Sequence, residues 1–266
     1  MRALLAALLL LAALPARADD QGEAQGLVDR STLTVQELLT TGDAGAVEDA
    51  RRFLRRARAA LVCPRIFRAG FILGGEGGGC VLVARDAAGS WSAPAFYGMA
   101  SGSLGLQIGV QDMQVLMLIM SDRALSALMD SQFKLGADAS VAVATVGAGV
   151  EGATAGAGAD IMAFARSRGL FAGIALEGSL LTARSELNRA YYGQDIAARQ
   201  IVVAMQVHNP GADPLRAALM RYGGAEAAPV PQAEPAAPGY APDTRGAPAG
   251  GPVQSTPLPP IAGPRR

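Results

Sequence analysis

The run Gly74-Gly-Glu-Gly-Gly-Gly79, set between two stretches of period two, constrains the fold more than any other segment. Apolar and small residues alternate through 69–74 and 80–85, as in extended chain whose successive side chains face opposite ways. Glycine takes positive φ without steric cost, so the run between them reads as a hairpin turn. A lone hairpin is marginal in water and needs further strands or a helix against its apolar face. Residues 90–97 and 103–110 are strand-like. Residues 114–120 form a continuous apolar run that suits a strand covered on both faces, and 139–146 and 170–177 are strand-like again. Helical signals lie between and before them. Residues 27–39 are weakly periodic, Ser121 can cap a helix in which Leu125, Leu128 and Met129 share a face, and 185–192 reads as a short helix. The expected class is α+β: an antiparallel, glycine-rich curved sheet or barrel-like sandwich, with an N-terminal basic amphipathic helix and short additional helices. A transmembrane barrel of even strands and aromatic girdles fits poorly, because helices interrupt the strands and aromatics make up 5% of the chain.

The basic helix is expected over 47–62. Val47, Ala50, Leu54, Ala57 and Leu61 recur at threes and fours, which makes one apolar stripe. At about 100° per residue, Phe53 joins that stripe, and Arg51, Arg52, Arg55, Arg56 and Arg58 fall on a separate face. Arg65 and Arg68 extend the patch. Such a face suits a helix beside anionic lipid, where each arginine contributes about 1 kcal/mol. Screening over about 8–10 Å keeps distant acids from cancelling it. The same pattern is met by a core-docked helix with a solvated arginine face, and the two arrangements are compatible.

The chain opens with Met1-Arg2, an apolar run over 3–14 and the end Ala16-Arg17-Ala18, the plan of a secretory signal peptide. The run is shorter than the roughly 20 residues a spanning helix needs. Cleavage before Asp19 removes Arg2 and Arg17 from 23 basic residues and nothing from 23 acidic ones, leaving a net charge of −2. A general polyanion binder is excluded on that balance, nucleic acid included, so attraction to phosphate must be local. Export would put Cys63 and Cys80 in an oxidising compartment, which permits a bridge. The expected hairpin sets Cys80 near Leu73 instead, which favours two small buried thiols. From Gly224 onward the chain holds eleven of its sixteen prolines among alanine and glycine, the composition of a disordered spacer. Two P-x-x-P matches within it, starting at Pro235 and Pro257, are read as part of that spacer.

Catalytic patterns are thin. His208, the single histidine, lies in His-Asn-Pro and reads as an exposed turn residue; no nucleophile elbow accompanies it. Two cysteines and one histidine lack metal-like spacing, so no metal site is expected. Gly147-Ala-Gly-Val-Glu-Gly152 matches a dinucleotide-binding fingerprint on paper, after a strand-like segment and before a helix running to Arg166. Continuing glycines weaken that helix, and the preceding half of the chain is hairpin-like. Asp138 and Glu177 read as hydrogen-bonded structural carboxylates. Trp91, Phe96, Tyr97, Phe171, Tyr191 and Tyr192 suit a core or a cavity wall.

Four longer blocks appear in order: Trp91-Ser-Ala-Pro-Ala-Phe-Tyr97, Gly105-Leu-Gln-Ile-Gly109, Leu135-Gly-Ala-Asp-Ala-Ser-Val-Ala-Val143 and the stretch 167–193, SRGLFAGIALEGSLLTARSELNRAYYG. Together they resemble the SYLF family, the yeast-type actin-binding lipid module, over roughly residues 49–203. The resemblance implies a non-catalytic domain that binds lipid, phosphoinositides especially, without a cofactor. It implies actin association for some eukaryotic members, which is not expected here. The chain is accordingly divided into a signal peptide (1–18), a helical lead-in (19–45), the lipid-binding domain (46–208), a connecting segment (209–223) and the tail (224–266). The expected partner is an anionic phospholipid surface at the periplasm or cell envelope of a bacterium, met by Arg51, Arg52, Arg55, Arg56, Arg58, Arg65 and Arg68. Phe53, Leu54, Trp91, Phe96 and Phe171 are candidate apolar contacts. A dinucleotide-dependent enzyme using 147–152, and a structural envelope protein tethered by its tail, are the competing readings.

Overall fold

In the computed structural model the described residues are 16–70, 73–104, 109–129, 132–145, 158–169, 176 and 178–224. They fall in one compact unit. Helix α1, Ala16–Leu38, buries Ala24, Leu27, Val28, Ser31, Val35 and Leu38, which recur at threes and fours. Ser31 Oγ and Thr32 Oγ1 donate to the Leu27 and Val28 carbonyls at 2.7 and 2.9 Å, so hydroxyls on the buried side stay satisfied. Helix α2, Ala44–Arg56, starts where the Asp43 carboxylate accepts from Ala46 N at 3.0 Å and carries Arg55 and Arg56 in its last turn. It ends earlier than the apolar spacing suggests. Ala57 is already extended, and Ala59 begins a strand. The unbroken run Ala59-Ala-Leu-Val-Cys63 is buried on both faces, and ladder bonds to two neighbouring strands outweigh the helical spacing of Ala57 and Leu61.

The sheet has eight strands: β1 Ala59–Gly70, β2 Leu73–Ala84, β3 Ala95–Leu104, β4 Gly109–Ile119, β5 Gln132–Lys134, β6 Val141–Thr145, β7 Ile161–Gly169 and β8 Leu180–Ala183. Their order is β5-β8-β3-β2-β1-β4-β7-β6, antiparallel except for β6 beside β7, and the sheet curls into a half-barrel. The α+β class and the curved antiparallel sheet are as expected. Two local readings are not. Trp91 makes only an isolated bridge with Arg85 before β3 begins at Ala95. The stretch before Arg166 is strand β7 rather than a helix. Of 170–177 only Leu176, buried, lies among the described residues.

The glycine run is the main correction. Gly74–Gly79 is not a turn but the first half of β2, paired on both sides. Missing side chains serve close approach there. A Cβ on Gly78 would sit 2.1 Å from the Arg65 carbonyl, at the bulge where β1 shifts register around Pro64. A Cβ on Gly79 would meet Leu27 at 3.0 Å, where α1 crosses the sheet. In the register where Gly70 pairs with Gly74, Val62 pairs with Val81, and the adjacent Cys63 and Cys80 form a disulfide with Cα atoms 4.2 Å apart. The expectation of two free thiols failed because it rested on the misplaced turn.

Both sheet faces are covered by short helices: α3 Asp122–Leu128, α4 Ser185–Tyr192, α5 Ala198–Val202 and α6 Asp213–Gly223. Under α1, α2, α4 and α6 lie Val62, Val81, Val83, Phe96, Leu116 and Phe164. On the opposite face Leu61, Leu82, Tyr97, Met113, Val115 and Met117 pack with α3 and α5. Ser121 caps α3 as expected, accepting from Ala124 N at 3.1 Å. Its hydroxyl also donates to Asp160 at 2.7 Å, and Asp160 further accepts from Ser140 N, Ser140 Oγ and Arg123. That carboxylate ties together the starts of α3, β6 and β7.

Candidate anion-binding cleft

Helix α6 occupies the segment expected to be a connector. Leu215, Ala218 and Leu219 bury its inner stripe beside α1 and α2. One side chain fixes α6 against α2. Arg85 donates to the Leu54 and Arg55 carbonyls at 3.1 and 2.8 Å and to the Gly223 carbonyl at 2.9 Å, closing the last turns of both helices. Its guanidinium lies 4.5 Å from the centre of the Trp91 ring, and burial lowers its pKa from the usual arginine value. Gly223 fits there because a Cβ would come within 2.7 Å of Leu54.

Between the clamped helices opens a cleft of about 380 Å³, lined by Glu48, Arg51, Arg55, Arg221, Tyr222 and Gly224. The guanidiniums of Arg51 and Arg221 lie 5.6 and 5.7 Å from the Tyr222 ring centre. Arg51 spends its Nε on the Leu39 carbonyl at 2.9 Å, which orients its terminal nitrogens. Arg55 pairs with Glu48 at 3.0 Å, and Arg221 makes no ion pair among the described residues. Three guanidiniums face one carboxylate, a local excess of two positive charges on a chain whose formal charge is zero. Forked guanidinium donors suit phosphate oxygens, and the ring supplies a flat wall beside them.

The seven arginines singled out from the sequence do not form one surface. Arg51 and Arg55 line the cleft. Arg52 pairs with Asp49 at 2.7 Å, while Arg56 is exposed and makes no ion pair among the described residues. Arg58 lies beyond α2 and contacts Asp122 at 3.3 Å, so it is not on the helical face assigned to it. Arg65 sits at the β1 bulge with Asp112 at 2.7 Å. Arg68 reaches a buried Glu76 at 2.7 Å from the opposite face of the sheet. Leu54, Trp91 and Phe96 are core residues beneath the helices; Phe53 is half-buried, its ring 6.1 Å from Phe164. Phe171, Glu177 and the fingerprint at 147–152 lie outside the described residues. Asp138 accepts from Lys134 N at 2.6 Å, and His208 is exposed, 3.6 Å from Asp213. Arg221 and Tyr222 were missed, although Leu215, Ala218, Leu219 and Tyr222 carry helical spacing after the start at Asp213-Pro214.

Residues 100–222 match the family model Ysc84, described as "Las17-binding protein actin regulator". The chain is 39% identical over 139 residues to the human "SH3 domain-containing YSC84-like protein 1", which covers 52% of this chain and 41% of that one. It is 32% identical over 166 residues to "Protein YSC84" of Saccharomyces cerevisiae, covering 61% and 35%. "LAS seventeen-binding protein 3" of the same yeast is 33% identical over 166 residues, covering 61% and 36%. The chain thus spans about two fifths of the length of the curated relatives it matches.

Proposed function

The chain carries a domain of the SYLF, or Ysc84, family, and from that premise we propose that it is a non-catalytic module that binds anionic phospholipid headgroups. The observation that carries this reading is the convergence of Arg51, Arg55 and Arg221 around Tyr222 in a cleft held open between two helices. A phosphate or phosphoinositide-like headgroup matches that donor set, and Arg52 and Arg56 lie on the same helix. Arg58, Arg65 and Arg68 contribute less, since each is engaged by a carboxylate elsewhere. Among the described residues no helix is long and apolar enough to cross a membrane.

We place the module outside the cytoplasm, at the periplasm or envelope, with residues 1–18 removed and 224–266 acting as a spacer. The Cys63–Cys80 bridge supports this, because disulfides persist in oxidising compartments. Actin regulation is named in the description of the family model that residues 100–222 match, and it is not carried over to this chain. Vesicle flotation of the purified chain tests the proposal. The chain should float with phosphatidylglycerol-containing vesicles, stay behind with phosphatidylcholine alone, and release as salt rises. Equal binding to both vesicle types, or to neither, would refute it.

A further inference from the structure

On the far side of α1 from α2 and α6, no helix among the described residues covers the helix-bearing face of the sheet. Phe67 pairs with Asp112 and Ala69 with Val110, and their alternation puts Phe67 and Val110 on the same face as Leu116 and Leu118. Yet Phe67 is 44% and Val110 52% exposed, and Leu33, on the outer side of α1, is 63% exposed. Across the neighbouring strands this face continues as Gly77 and Gly75, then Ala100 and Gly102. Small residues there leave the large side chains of Phe67 and Val110 standing above their neighbours.

Basic side chains rim the patch. A cleft of about 320 Å³ between α1 and the sheet includes Arg30, Leu33, Arg65, Asp112 and Arg166 in its lining. Arg65 lies 5.9 Å from the Phe67 ring centre and gives its Nε to Asp112. Arg30 makes no ion pair among the described residues. Arg166 is held by Glu37 and by the Thr41 carbonyl. Exposed apolar side chains bordered by arginines match the boundary between acyl chains and anionic headgroups. A second copy fits worse, since a two-fold contact would bring two arginine-bordered patches together.

We infer that this patch is a bilayer-contact surface: Leu33, Phe67 and Val110 enter the outer acyl region of an anionic leaflet while Arg30 and Arg65 meet its phosphates. The inference rests on the phospholipid-binding reading and adds a second, apolar contact to the headgroup cleft. Phe67→Trp in the full chain provides the probe, because Trp91, the native tryptophan, is buried. With mixed phosphatidylglycerol and phosphatidylcholine vesicles brominated on their acyl chains, Trp fluorescence at position 67 should shift to the blue and be quenched. Val203→Trp, equally exposed but at the end of α5 on the other face, should not be quenched. Combined Leu33→Ser, Phe67→Ser and Val110→Ser substitution should lower vesicle affinity about tenfold with an unchanged circular dichroism spectrum. Flotation without quenching at position 67, or with undiminished affinity in the triple variant, would overturn this inference and leave the headgroup reading standing. Absence of flotation by the parent chain would overturn both. A concentration-dependent dimer dissolved by Phe67→Ser would assign the patch to self-association and overturn it too.

Discussion

Asp160 shows how much one side chain can organise in this molecule. Hydrogen bonding from Ser121 is the largest influence on its pKa, joined by Ser140 and Arg123; together they outweigh desolvation and hold the carboxyl far below the usual range. A depressed native pKa means that ionised Asp160 stabilises the fold above its unfolded value, near about 4, and that this contribution is lost as pH falls below it. Asp160→Asn keeps the shape but removes the charge-assisted bonds. It should cost about 1.5–3 kcal/mol at neutral pH. Thermal midpoints measured from neutral to acid pH should converge for parent and variant as pH falls. A constant gap across that range would contradict the assignment. None of this was readable from Asp160 alone, because Ser121, Arg123 and Ser140 reach it only once β6 and β7 pair. By contrast, Ser121 as the cap of α3 was legible, since a cap is a local property of a few consecutive residues.

At the scale of elements, some short-range signals were read correctly and long-range register was not. Residues 185–192 form a helix, and the apolar run at 114–120 lies in a strand buried on both faces. Gly74–Gly79 misled because glycine signals a turn and a crowded strand alike; the bulge at Pro64 and the crossing of α1 decide between them. The same register sets Cys63 beside Cys80. Their sequence separation is 17, and a loop of that size corresponds to about 3 kcal/mol in the chain-entropy model. Chain purified without reductant and then denatured should resist thiol alkylation. Replacing both cysteines with alanine should lower stability by about 2–4 kcal/mol, measured by urea denaturation. Ready alkylation of both thiols in the purified chain would contradict the bridge, and with it the support it lends to export.

At the scale of the whole molecule, the proposed anion site joins two helices distant in sequence, α2 and α6. The arginine pattern of α2 was legible, but its partner was not, because Arg221 and Tyr222 reach the cleft through the Arg85 clamp at the ends of α2 and α6. Several arginines of the expected basic face are also paired with nearby carboxylates, and outside the cleft Arg56 is the one of that face with no ion pair among the described residues. The most direct test is flotation of the combined Arg51→Gln, Arg55→Gln and Arg221→Gln variant with anionic vesicles at low and physiological salt. Each arginine near a membrane contributes about 1 kcal/mol before screening. The account predicts at least about a tenfold loss of binding, a weaker salt dependence and an unchanged circular dichroism spectrum. Binding by the variant equal to that of the parent, with the same salt dependence, would contradict it.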